Sequence, residues 1–254
     1  MQILLVGDSH GDVDFMQAAI RRAAENNCSK ILQLGDFGFW PDEKGDQFLS
    51  QVAACAQAHN VEVYVIDGNH DWPEGYVRYV SASAPDGFAA VRDNLFYVPR
   101  GHRWIWAGVR FGALGGAVST NRSSLRLGHD WWPQERPSFV DLERLGDAPL
   151  DILVTHDLAA GQPPGQYAVS TDVLADLTEV RQMLTNAAYR TEAQLNVHGH
   201  LHRRYSRIMG GLRVEGLAHN FAWRAAHIDG DGSDSGAWAI LDLTNFLAGL
   251  KNPA

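Results

Sequence analysis

The sequence predicts an α/β protein whose reactive groups gather where parallel strands end. Strand-like and helix-like apolar patterns alternate through the first third of the chain. After about residue 94 the rhythm changes to short strands separated by turns. Polar clusters of Asp, His and Asn follow the apolar runs, where an open α/β sheet places its ligands.

The elements follow in chain order. Ile3 to Val6 is uninterruptedly apolar and runs straight into Gly7-Asp8 without a basic leader, so it reads as a strand and not as a signal peptide. Val13, Met16, Ile20 and Ala23 recur at helical spacing behind Asp12 or Asp14, either of which can cap a helix. Lys30 to Leu34 is the next strand, Phe48, Val52 and Cys55 mark a second helix, and Val61 to Ile66 is a third strand. This βαβαβ order implies parallel strands joined by right-handed crossovers. Leu95 to Val98, Trp104 to Trp106 and Val109 to Leu114 then read as an antiparallel or mixed sheet. Helical spacing returns at Val140 to Leu145 and at Val173, Leu177, Val180 and Leu184. Further strands are expected at Ile152 to Val154, Arg204 to Met209, Leu212 to Glu215 and Ala237 to Leu243. No repeat or linker interrupts the pattern, so one domain spanning residues 1–254 is expected. The Asp229 to Asp234 loop resembles a calcium loop only superficially, because the spacing and the closing Glu are missing.

Composition narrows the function. The chain is 45% apolar and 20% charged, as in soluble globular proteins, and holds no stretch long enough to span a membrane. Cys28 and Cys55 fit neither a CxxC site nor a disulfide framework, which makes a reducing cytoplasm the default location. A net charge of −9 argues against binding to long nucleic acid, though a small anionic substrate remains compatible where bound metal reverses the local sign.

Five polar clusters carry the chemistry: Asp8-Ser9-His10, Gly35-Asp36, Gly68-Asn69-His70-Asp71, Thr155-His156 and Gly199-His200-Leu201-His202. Each has a bland explanation alone: a capped turn at Asp8 to His10, a structural histidine at 156, a chance turn at 199 to 202. As an ordered set they supply carboxylate, imidazole and amide oxygen without a thiolate. That mixture suits Mn, Fe, Zn or Ni in a hydrolytic centre better than structural zinc. The seven ligands Asp8, His10, Asp36, Asn69, His156, His200 and His202 are too many for one ion with an open position, and two ions sharing a carboxylate use them all. Asp8 with His10 and His200 with His202 are i,i+2 pairs, whose side chains point the same way in extended backbone.

The ordered motifs D-x-H, G-D, G-N-H-D, H and G-H-x-H between residues 8 and 202 resemble the calcineurin-like metallophosphoesterase superfamily. The resemblance implies a four-layer αββα sandwich of two mixed sheets flanked by helices, with a dinuclear divalent centre at one sheet edge. It implies that Asp8, His10, Asp36 and His202 hold the first ion, that Asp36 bridges, and that Asn69, His156 and His200 complete the second. His70 is then catalytic without being a ligand, and Asp71 orients its imidazole. A water bridging the ions, its pKa lowered, attacks phosphorus, and His70 protonates the leaving oxygen. Gly115-Gly116 resembles the superfamily's glycine-rich loop, though close backbone packing explains both glycines. Ser119 to Arg122 beyond it either reach substrate or form a solvated loop.

Within this resemblance, Asp36 is followed by Phe37-Gly38-Phe39-Trp40 and not by the arginine-bearing segment of Ser/Thr protein phosphatases. Aromatic residues near the motifs, Phe37, Phe39, Trp40, Trp72, Trp131 and Trp132, are suited either to stacking on a nucleobase or to packing a cap. The expected activity is hydrolysis of a small phosphodiester, a nucleotide and foremost a cyclic nucleotide, with manganese as the leading metal. A phosphomonoesterase and a non-enzymatic scaffold are the alternatives.

Overall fold

The computed structural model describes residues 1–80, 87–161, 169–227 and 235–251; the Asp229 to Asp234 loop lies outside them. The chain runs β1 (Gln2–Val6), α1 (Val13–Glu25), β2 (Lys30–Gln33), α2 (Glu43–Ala58), β3 (Glu62–Val65), α3 (Pro73–Val80), β4 (Ala89–Arg92), β5 (Leu95–Tyr97), β6 (Arg103–Trp106) and β7 (Val109–Leu114). It continues with α4 (Phe139–Leu145), β8 (Ile152–Thr155), α5 (Thr171–Arg190), β9 (Leu195–His198), β10 (Tyr205–Met209), β11 (Leu212–Gly216), α6 (Asn220–His227), β12 (Trp238–Asp242) and α7 (Leu243–Lys251). Asp12 caps α1 by accepting from the Phe15 amide, so of the two candidate caps the first is used.

Two six-stranded sheets result, in the orders β12-β1-β2-β3-β5-β4 and β10-β11-β9-β8-β7-β6. In each, the inner strands run parallel and the two edge strands are antiparallel. The mixed sheet expected after residue 94 is thus parallel at its centre.

Side-chain alternation sorts the strands into layers. On the first sheet Leu4, Val6, Ile31, Val63 and Val65 pack under Phe15, Met16 and Ile20 of α1 and Phe48 and Val52 of α2. Their neighbours Ile3, Leu5, Leu32 and Tyr64 face Phe111, Ala113, Ile152, Val154 and Val197 of the second sheet. Leu153 and Val214 on that sheet's outer face meet Leu145 of α4 and Val180 and Leu184 of α5. The layers are therefore helix, sheet, sheet, helix. Strands buried on both faces explain why β1, β2 and β3 are apolar through their centres instead of alternating with polar residues.

Candidate metal centre

The five clusters meet. Asp8 and His10 lie between β1 and α1, Asp36 follows β2, Asn69 follows β3, His156 follows β8, and His200 and His202 follow β9. One atom each from Asp8, His10, Asp36 and His202 lie within 4.8 Å of one another, and so do atoms from Asp36, His156 and His200. Asp36 belongs to both groups. The nearest approaches are His202 Nε2 to Asp8 Oδ2 at 3.0 Å, His10 Nε2 to His202 Nε2 at 3.2 Å, and His156 Nε2 to Asp36 Oδ2 at 3.3 Å.

Glycines make this crowding possible. A Cβ at Gly68 would stand 2.1 Å from Asp36 Oδ1, and one at Gly199 would stand 2.1 Å from Asp8 Oδ1. Each therefore vacates space for a carboxylate delivered by another strand. The backbone is bent too: His10, Asp36, His200 and His202 have φ of 45°, 49°, 58° and 54°. The backbone at His10, His200 and His202 is thus left-handed and not extended, and this corrects the i,i+2 argument. His200 and His202 in fact serve different donor groups.

Several donors are held in the form a cation needs. The His156 Nδ1–H donates to the Leu34 carbonyl at 2.6 Å, which fixes the ring and leaves Nε2, on the Asp36 side, as the nitrogen a cation can take. Buried Asn69 donates from Nδ2 to Ser119 Oγ at 3.0 Å, while its Oδ1 is buried with no hydrogen-bond partner. An orphaned amide oxygen beside such a donor set fits an oxygen-seeking cation.

The electrostatics agree. Burial raises the Asp36 carboxyl, but the charges of His156 and His70 and the bond from His156 hold it well below the usual range. Burial lowers His156, yet Asp36 and Asp8 outweigh it and push the imidazole up to about 10. The buried carboxylates thus demand positive charge, which a divalent cation supplies by displacing that proton. Burial, joined by the charge of His156, outweighs the pull of Asp157 and pushes His200 down to about 4, so it offers a neutral ring.

His70 stands outside both donor groups. It is half-exposed, its ring centroid is 5.8 Å from that of His10, and its backbone N–H donates to Asp36 Oδ1 at 2.8 Å. Asp71 departs from expectation. Its carboxylate is buried and accepts backbone N–H groups from Phe37, Gly38, Phe39 and Gly68 at 2.9 to 3.1 Å, and no bond to the His70 ring is found. The turn after β2 needs acceptors more than the imidazole needs an orienting group, so Asp71 pins that turn to β3. Ser119 is likewise no solvated loop residue: it is fully buried against Asn69 and Glu135, and Arg122 pairs with Asp176. At Gly115 a Cβ would sit 2.3 Å from Asp67 Oδ1, so packing explains this glycine.

The aromatic residues divide. Phe37 and Phe39 are core, packed edge-on against Phe48 and stacked on Tyr76 respectively, and Trp132 is buried. Half-buried Trp40 lies with its ring against Gly11, next to His10, and lines with half-buried Trp72 a cavity of about 190 Å³. His219 escaped the sequence reading. It stacks on His202 at 4.2 Å, and burial with the nearby His202 pushes it down to about 4. Its signal was there in His219-Asn220, a polar pair close behind the glycine that ends β11.

With this geometry in place, a family model described as calcineurin-like phosphoesterase matches residues 1–204. The chain belongs to the calcineurin-like phosphoesterase family. The family is one of metal-dependent phosphoric ester hydrolases with a dinuclear divalent centre. Among solved structures, TT1561 of Thermus thermophilus is similar over 86% of this chain and 89% of its own, with 12% identity and a TM-score of 0.58. Phosphopantetheinyl hydrolase from Mycobacterium tuberculosis is similar over 94% and 96%, with 13% identity and a TM-score of 0.56. A dimetal phosphatase from Danio rerio is similar over 86% and 87%, with 13% identity and a TM-score of 0.50. At such identities the likeness is one of fold. A search of curated proteins finds none significantly similar in sequence.

Proposed function

We propose that this phosphoesterase hydrolyses a small phosphodiester, a nucleotide and foremost a cyclic nucleotide, in the cytoplasm. Asp8, His10, Asp36 and His202 hold one ion, and Asp36, Asn69, His156 and His200 the other, with manganese the leading candidate. When bound, two such ions supply Lewis-acid charge and a nucleophile at neutral pH. The observation that carries the reading is His70, half-exposed beside the donors yet outside both groups. A histidine so placed can hold a proton for an alkoxide leaving group, which a diester of a sugar needs. Trp40 and Trp72 add a wall on which a planar base could stack. The free thiols Cys28 and Cys55 accord with a reducing compartment.

The test is turnover with Mn²⁺ of bis(p-nitrophenyl) phosphate, p-nitrophenyl phosphate and a panel of cyclic nucleotides. The diesters are expected to be the better substrates, with a cyclic nucleotide among them. Preference for p-nitrophenyl phosphate would establish a monoesterase. Two bound ions without turnover of any ester would establish a binding scaffold.

A further inference from the structure

Asn69 Nδ2 donates to Ser119 Oγ at 3.0 Å, and Ser119 Oγ in turn meets Glu135 Oε2 at 2.5 Å. The Ser119 backbone N–H donates to Glu135 Oε1 at 3.1 Å. All three residues are buried, with exposures of 2% or less. Glu135 ends the single turn Pro133–Glu135, whose position is fixed from the other side. Arg100 donates to the carbonyls of Gln134, Glu135 and Arg136 while pairing with Asp67, two residues before Asn69.

Hydrogen-bond bookkeeping gives this chain a direction. A carboxylate only accepts, so Glu135 must receive the single hydroxyl proton of Ser119. Ser119 Oγ can then offer Asn69 only a lone pair. Asn69 must answer with its NH₂ group, and its Oδ1 is left buried without a partner. A primary amide that turned over would present two N–H groups to a cation.

We propose that Glu135, acting through Ser119, is a positioning residue that locks the amide of Asn69 with its oxygen toward the second ion. This rests on the reading of Asn69 as a ligand of that ion. Glu135→Gln tests it with almost no change of shape. A glutamine can donate to Ser119 Oγ, which frees the hydroxyl proton for Asn69 and favours the turned amide. The reverse-polarity pair Asn69→Asp with Glu135→Gln restores order, since the introduced glutamine donates to Ser119 and Ser119 donates to a carboxylate that presents oxygen on both sides.

The measurement is Mn²⁺ binding by calorimetry, with Mn–Mn coupling in the EPR spectrum as a second readout. E135Q is expected to weaken the second ion about 10- to 100-fold, to leave the first unchanged and to lose the coupled signal. The double variant N69D/E135Q is expected to bind the second ion more tightly than E135Q or N69D alone. Unchanged binding in E135Q, or losses in the double variant that simply add, overturns the proposal while the metal reading stands. A wild type that binds fewer than two ions overturns both. If E135Q fails to fold, N69D against N69D/E135Q decides: the second substitution must restore affinity, and a further loss refutes the relay.

Discussion

His70 contributes to the centre in two ways that a single substitution separates. Its backbone N–H bonds Asp36, and its imidazole stands clear of the donor groups. His70→Ala keeps the backbone bond, so two Mn²⁺ ions are expected to remain while kcat falls about 10²- to 10⁴-fold. The fall should be larger for an alkyl ester than for a p-nitrophenyl ester, whose leaving group needs no proton. Loss of metal, or equal losses on both esters at metal saturation, would make His70 a ligand or a phosphate-positioning group instead. Residues at this scale were legible where chemistry and strand ends coincide, and Asp8, His10, Asp36, His156, His200 and His202 converge as their motifs led one to expect. Asp71 was misread because adjacency suggested a side-chain pair with His70, whereas the backbone of a distant turn claims its oxygens. Glu135 was invisible because its partner Ser119 lies 16 residues away, in a segment with no strand or helix pattern.

Elements with regular apolar patterns were found from sequence, β1 and β7 nearly to the residue, while α5 runs on past the last expected position, Leu184, to Arg190. Strand β9 was not, because Asn196 and His198 break its pattern, and both are buried on polar partners. Asn196 Nδ2 reaches the Leu153 carbonyl and Thr155 Oγ1, and His198 Nε2 lies 2.6 Å from the Tyr205 hydroxyl. Helix α3 opens on a proline, which the N-terminal position of a helix tolerates and a reader takes for a break. The junction of β7 and β8 supports a test at this scale. Buried Asp151, just before β8, accepts from the backbone and guanidinium of Arg110 on β7. Burial raises the Asp151 carboxyl, but the Arg110 bonds outweigh it and set the pKa below 3.8. A carboxyl lowered on folding stabilises above its unfolded pKa and loses that contribution as pH falls through the folded value. Asp151→Asn is therefore expected to cost about 1 to 2 kcal/mol at pH 7, a figure discounted because the Arg110 side chain is 46% exposed. Thermal melts across pH should show the deficit shrinking below about pH 3.8. A deficit that persists unchanged to about pH 2.5 would assign the effect to packing.

Across the whole molecule, the donor set straddles the two sheets. Asp8, His10, Asp36 and Asn69 come from loops of the first sheet, and His156, His200 and His202 from loops of the second. Cations held by this set would tie the sheets together at one edge, with Asp36, which belongs to both groups, at the junction. Calorimetry with Mn²⁺ is expected to count two ions per chain, and metal at about 100 times Kd should stabilise the fold by about 3 kcal/mol per site. Asp36→Asn is expected to weaken both ions and remove most of the metal-dependent rise in Tm. One ion at saturation, or loss of only one in D36N, would reject a shared carboxylate. The four-layer sandwich that the family resemblance implied is the one found, but the strand and helix patterns by themselves made it legible only in part. Parallel order followed from the βαβαβ rhythm, but the number of sheets depends on which faces meet, and a strand buried on both faces carries no mark of what covers each.

The left-handed backbone at His10, Asp36, His200 and His202 sets two selective pressures against each other. An L-residue held in that region costs on the order of 1 kcal/mol that glycine would avoid. Folding alone would choose glycine there, and the proposed ligand roles forbid it. A lineage kept only for its robustness would be expected to lose its ligands first at these positions, so that an inactive descendant would be recognised by glycines standing where the donors had been.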